Sequence, residues 1–321
     1  MANIKKRNHY ITRQFLEGFC DSNGLVWTYP KDSPSDLFAN KPTDTAVIKK
    51  LYHLQHGENI TAVEDYFSDQ VETPASNALK KLLNKNFPNT EEKEKLSLFF
   101  GLQMVRTPSY IDHLNTEQSK YLNHRAQIIA SNKEYFYATY KKVNPNLRED
   151  EIEEDRQAML RDEFTYEINR DYLLILMLDY GSIIASHLLH MNWALIESDY
   201  GNPFIVSDNF MHIYHPSIKS GFYHIGLGIR DVCVHIPVSY KLSLMLVNNV
   251  QFKEGIIYDA SNPPSINNKP INLKNLIESF NKAMFIKCHK YVFANSNSEE
   301  LKNCFNNIIK EANEFENRQV E

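Results

Sequence analysis

Glycine is scarce in this chain. Ten glycines in 321 residues argue against a β-propeller, a large barrel or a glycine-rich nucleotide cradle, all of which need glycine at turns or against phosphates. No Gly-x-x-x-x-Gly-Lys-Ser/Thr loop, Gly-x-Gly-x-x-Gly fingerprint or Gly-x-Ser-x-Gly elbow occurs. ATPase, dinucleotide oxidoreductase and α/β-hydrolase readings lose their support accordingly. "GLGIR", from Gly226 to Arg230, is too short to cradle a phosphate. The four cysteines, Cys20, Cys233, Cys288 and Cys304, form no Cys-x-x-Cys pair. That distribution suits reduced thiols in a cytoplasmic protein rather than a disulfide framework or a thiolate zinc site.

Excess charge of one sign is missing too. Lysine and arginine number 35 against 40 acids, a formal net charge of -5. Contact with a nucleic acid or nucleotide would therefore need a local basic patch. The start, "MANIKKRNHYITRQFLEGF", has neither an uninterrupted apolar run nor a small-residue cleavage site, so a secretory leader is not expected. One run approaches membrane length, from Tyr172 to Leu189. Asp179 sits near its middle, where a charge costs roughly 2.5–3.5 kcal/mol in a bilayer. Ser182, Ser186 and His187 dilute the run further. The reading is a buried central helix and no membrane.

What is present is an ordinary globular composition, 42% hydrophobic and 23% charged. Residues 1–74 are mixed: a short helix is expected around Thr12–Gly18, a strand at "LVWTYP" and a turn-rich loop at "KDSPSDLFANKP". Residues 75–192 are mainly helical. "TPASNALKKLLNKNF" spaces Ala75, Ala78, Leu79 and Leu82 on one helix face. "NTEEKEKLSLFFGLQMVRTP" puts Glu91 and Glu92 in a first turn and ends at Pro108. A tyrosine-rich helix and the acidic "REDEIEEDR" follow, the latter a solvated face or a docking surface. Residues 193–260 change period: "NWALIES", "NPFIVSD", "VCVHIPVS" and "LSLMLV" read as strands. Two helices close the chain over 270–316, the second with Ser298 as its cap. The expected fold is a single α+β domain, 1–321, predominantly helical. One small sheet joins the amino-terminal strand to the strands after residue 193.

Several polar residues sit where chemistry could occur. His9 and Tyr10 precede the apolar ladder Ile11, Phe15, Phe19, so His9 is packing, a polar lock or a catalytic group. Gln103 and Arg106 follow Phe99 and Phe100 on a core-facing side. A buried guanidinium there needs a carboxylate, a carbonyl cluster or an anionic ligand. Ser207, Asp208 and Asn209 end an apolar strand, a position that suits acid–base groups or an Asx turn. Glu64 and Glu72 could join Asp208 around Mg or Mn, or remain surface acids. Three histidine pairs at spacing three, His53/His56, His187/His190 and His212/His215, fit one helix side, as metal ligation can require. The metalloprotease pattern His-Glu-x-x-His is absent.

In order along the chain, "HYITRQFLEGF", "VWTYPK", "GLQMVRTP", "FIVSDN" and "IPVS" resemble the motifs of a widespread, mostly bacterial group, domain of unknown function family 4238. Thr12 and Phe210 stand where that group commonly has proline. The resemblance implies a cytoplasmic accessory protein and brings no activity, but it selects His9, Gln103, Arg106, Ser207 and Asp208 over the histidine pairs. Two expectations follow. In the first, these residues converge in a cleft and hydrolyse a phosphate-containing substrate, a nucleic acid or nucleotide, in a defence or toxin setting. Gln103, Arg106 and Asn209 hold the substrate there, while His9, Ser207 and Asp208 do the chemistry. In the second, the same residues are a structural lock in a binding or sensor module, whose partner is another protein or a second copy.

Overall fold

The computed structural model describes residues 7–320 apart from 165, 200, 219–225 and 267–268. The chain opens with β1 (Arg7–His9), then the single turn α1 (Arg13–Leu16), which tightens into a 3-10 turn at Glu17–Phe19. Ile11, Phe15, Leu16 and Phe19 are all buried, as the apolar ladder required. β2 (Val26–Pro30) and β3 (Phe38–Asn40) pair antiparallel, and β4 (Val47–Lys49) returns to pair with β1.

Helices dominate the next stretch. α2 (Ala62–Tyr66) runs through a π-helical turn, Phe67–Glu72, into α3 (Thr73–Leu83). α4 (Thr90–Val105) starts from a capping box in which Asn89 and Glu92 exchange hydrogen bonds. α5 (Pro108–Ser131), α6 (Lys133–Val143) and α7 (Glu149–Leu160) gather a small core of their own around Ala130, Phe136, Ile152 and Met159. α8 (Arg170–His190) then packs along α4.

β5 (Asn192–Glu197), β6 (Val206–Ser207), β7 (His212–Tyr214), β8 (Cys233–Ser239), β9 (Leu242–Val247) and β10 (Ile256–Tyr258) follow. The chain ends with the small pair β11 (Ser265–Ile266) and β12 (Lys269–Pro270), then α9 (Leu273–Lys287), β13 (Tyr291–Ala294) and α10 (Glu299–Val320).

The helix-dominated α+β reading holds, but the single sheet is corrected to several. β2 does join strands from beyond residue 193, in the order β3-β2-β13-β6. The remaining long strands form a separate five-stranded sheet, β10-β5-β9-β8-β7. The reason is burial on both faces. β8 and β9 are buried along nearly their whole length, which continuous apolar runs permit. One face of this sheet meets the main core; the other carries Ala194, Met245 and Val247 under Ile277 and Phe280 of α9.

α8 is, among the described residues, the helix long and apolar enough to cross a membrane, with mean hydropathy 1.6 over its best window. It is buried on one side only, through Leu173, Leu174, Met177, Gly181, Ala185 and Leu188. Glycine sets how closely α8 approaches α4. A methyl group on Gly101 would lie 2.5 Å from the carbonyl oxygen of Gly181 and 2.7 Å from the nitrogen of Ala185. Backbone cannot give way as a side chain can. Gly101→Ala is therefore expected to destabilise the protein by about 1–3 kcal/mol, read as a lower urea midpoint. Gly226→Ala, where an added methyl meets nothing, should leave that midpoint unchanged.

Candidate functional site

Arg106 caps the carboxyl end of α4 and is 2% exposed. Each nitrogen of its guanidinium has a partner. Nη1 pairs with Glu72 Oε1 at 2.6 Å, Nη2 donates to the carbonyl of His9 at 2.6 Å, and Nε donates to the Tyr52 hydroxyl at 3.3 Å. Tyr52 in turn donates to the Arg106 carbonyl at 2.7 Å. The guanidinium also lies over the Phe67 ring, 4.2 Å from its centre. Burial alone would lower the arginine's pKa, but Tyr52 and Glu72 more than offset it, and Arg106 stays charged. Burial raises the Tyr52 hydroxyl to about 12.

One turn earlier, Gln103 is 1% exposed. Its Oε1 accepts from the Thr12 backbone N–H at 3.3 Å, and its amide nitrogen donates to the Tyr10 carbonyl. The side chain thus takes the place of a neighbouring strand for a segment without one. Between them, Gln103 and Arg106 satisfy the main chain at His9, Tyr10 and Thr12. The His9 imidazole takes no part in this: its Nε2 lies 3.2 Å from the Pro42 carbonyl. Burial chiefly holds its pKa below the ordinary histidine value, so the neutral ring donates to Pro42.

Asp208 sits at the end of β6 and is 3% exposed. Its two oxygens accept three backbone N–H bonds from the start of β13: His289 at 2.7 Å, Lys290 at 2.6 Å and Tyr291 at 3.0 Å. Ser207 Oγ bonds the backbone of Asn209, and Asn209 Nδ2 donates to the Lys287 carbonyl at 3.1 Å. All three side chains therefore tie the strand end to itself or to the connection between α9 and β13. Tyr10 links this knot to the other. Its carbonyl is held by Gln103, while its hydroxyl is pushed up by burial and by the nearby Asp208 charge.

The structure thus brings Arg106 to the His9 carbonyl and Gln103 to the backbone of Tyr10 and Thr12, with Asp208 across Tyr10, but the His9 ring and the Asp208 carboxylate share no partner. Glu72 is committed to Arg106, and Glu64 raises the Tyr52 pKa alongside it. Among the described residues no group of three or more His, Cys, Asp or Glu is placed to hold a metal ion. The histidine pairs separate as well. His56 bonds Asp171, His190 bonds the Ser186 carbonyl, and His215 bonds the Arg230 carbonyl. His212 is directly opposite His235 across the ladder between β7 and β8, a partner that spacing along the chain does not reveal.

Two openings adjoin these elements. A cleft of about 300 Å³ is lined by Tyr10, Ser109, Asp208, His289 and Lys290 among others. A larger one, about 1020 Å³, lies between Asp199 and Asn202, α9 and the start of α10, with Tyr240, Lys241, Ser279, Lys282 and Ser298 on its walls. None of the candidate site residues chosen from the sequence lines the larger cleft, and no motif marks it.

The chain matches the family model described as "Protein of unknown function (DUF4238)" over residues 7–298. It belongs to that family. No curated protein and no solved structure matches it. In this DUF4238 chain three of the five ordered motifs, "HYITRQFLEGF", "GLQMVRTP" and "FIVSDN", meet in the two knots around Tyr10.

Two predictions follow. Removing Arg106 strands the His9 carbonyl and Glu72, so Arg106→Ala should cost on the order of 3–5 kcal/mol in denaturant unfolding. His9→Ala, which leaves its carbonyl in place, should cost only about 1 kcal/mol; equal losses would contradict this assignment.

The second concerns acid. His235 is fully buried, stacked on Phe280 at 4.0 Å, and neither ring nitrogen has a partner. Burial holds it well below 6.5 and lowers His212 to about 4. Between pH 6.5 and 4 the unfolded chain binds protons that the folded chain refuses, so stability falls with pH through that window. His235→Phe should flatten the fall, as measured by urea midpoints at each pH.

Proposed function

We propose that this DUF4238 protein is a non-catalytic binding module. Its family motifs build the frame, and its ligand is a small polar molecule received in the cleft beside α10. One observation supports the reading: the polar groups of Gln103, Arg106 and Asp208 are spent on the protein itself. A general base must present a free lone pair to its substrate. The Asp208 carboxylate is instead covered by three backbone N–H groups. Arg106 has its charge answered by Glu72, where a phosphate-binding arginine would keep its fork open.

The larger cleft has the chemistry of a polar-ligand site. Lys241 and Lys282 are accompanied by Asp199, Glu278 and Glu300, with serine hydroxyls between them. Lysines and acids interspersed in this way favour a neutral or zwitterionic ligand over a polyanion. Phe305 supplies an apolar wall.

Hydrolysis of a phosphate-containing substrate with Mg or Mn is the second reading. It draws on the smaller cleft, where Ser109, His289 and Lys290 stand beside Asp208.

A thermal-shift screen of purified protein against sugars, nucleosides, amino acids and short peptides tests the first reading. A stabilising ligand is expected, and Ser279→Trp, an exposed position on the cleft wall, should abolish the shift while leaving the unliganded melt in place. Turnover of nucleotides, DNA or RNA with Mg²⁺ or Mn²⁺ that a folded Asp208→Asn variant loses would overturn it in favour of the second.

A further inference from the structure

α8 raises a question that the rest of the fold does not answer. The helix turns Leu174, Met177, Gly181 and Leu188 inward. At 100° per residue, Tyr172, Ile175, Asp179, Ile183, Ser186 and His187 fall on the opposite side, and all are exposed. Tyr172 is 54% exposed, Ile175 51% and Ile183 55%. A helix side that faces water normally carries several lysines, arginines or glutamates; this one carries a single formal charge, Asp179. Only 33% of the most apolar window is buried; among the described residues Gly228 approaches the arc at the His187 ring, while Ile175, Asp179 and Ile183 stay exposed.

Charge placement along the arc indicates what would cover it. Ile175, Asp179, Ile183 and His187 form one row at i+4 spacing, the ridge that packs into an equivalent ridge at a crossing angle near -50°. Asp179 and His187 lie four residues either side of Ile183, each about 6 Å along the axis from it. A twofold axis through Ile183 therefore sets each Asp179 against His187 of the second copy. Ile183 meets itself, and the small Ser182 and Ser186 beside the row let the backbones approach. The acid lies towards the amino end and the imidazole towards the carboxyl end, so the row is complementary to itself when antiparallel. Such reciprocity is what an isologous contact requires. A lipid surface offers Asp179 no donor and would have to desolvate it.

We propose that the outer face of α8 is the contact surface of a twofold dimer of this chain, built on Ile183 at the axis and two Asp179–His187 pairs around it. This is independent of what the polar cleft binds.

Sedimentation of the full-length protein over a concentration series tests the proposal. A reversible monomer–dimer equilibrium is expected. Ile183→Arg should raise the dimer dissociation constant roughly tenfold or more, with an unchanged monomer melt because the side chain is exposed. Asp179→Lys and His187→Glu should each weaken the dimer. Combined in one chain they should restore it, since each new lysine then faces a new glutamate on the other copy. A wild type that stays monomeric throughout, a dimer indifferent to Ile183→Arg, or no recovery in the double variant would overturn the proposal. So would a monomer that floats with phosphatidylcholine–phosphatidylglycerol vesicles and stops doing so as Ile183→Arg.

Discussion

A fully charged guanidinium inside a protein core has to be answered, and in this fold the answer organises the amino-terminal third. Arg106 cannot be buried at the end of α4 unless something accepts its five donors. Glu72 supplies one acceptor, the Tyr52 hydroxyl another and the His9 carbonyl a third. These come from the π-helical turn, the loop after β4 and β1 respectively. The charge therefore fixes the relative position of segments that are otherwise short and weakly structured. Among the described residues β1 has only β4 as a strand neighbour, and a pair of three-residue strands is not stable alone. Gln103 and Arg106 complete it from the side.

Asp208 does the same for the other end of the chain. β13 is four residues long and follows α9 after only three residues, with three consecutive N–H groups, His289 to Tyr291, to satisfy where the strand begins. A carboxylate at the end of the adjacent β6 satisfies all three, with bonds stronger than neutral acceptors would make. Tyr10 sits between the two knots, its backbone in one and its hydroxyl beside the other. Three motifs widely separated in sequence are in this way parts of one polar framework.

How much of this the sequence could reveal depended on the distance between partners. That Arg106 would be buried and would need partners followed from its place after Phe99 and Phe100. Which partners could not follow, because they lie 34, 54 and 97 residues away. Tyr52 went unremarked for the same reason. His9 was singled out for its side chain, whereas its carbonyl makes the contact, and a carbonyl is common to every residue type. β13 was missed because "YVFA" is short and flanked by strongly periodic helices, so a window long enough to detect the helices averages it away. The histidine spacing failed differently. A separation of three has meaning on a helix, but His212 lies on a strand, where the relevant neighbour is across the ladder.

Polar residues in a fixed order along a chain arise from two physical demands. Chemistry needs groups that stay accessible and incompletely bonded; architecture needs buried donors and acceptors that are completely bonded. In sequence the two are alike, since both select Asp, Arg, Gln and His beside apolar runs. Accessibility separates them. Gln103, Arg106 and Asp208 are each at most 3% exposed with their polar atoms engaged, which places them with the architecture. A surface that recognises a ligand faces no such demand for fixed buried partners, and its composition is free to follow the ligand. The larger cleft shows the contrast in composition, with lysines, acids and serines in no recognisable order, where the buried knots need Gln103, Arg106 and Asp208 each in one place.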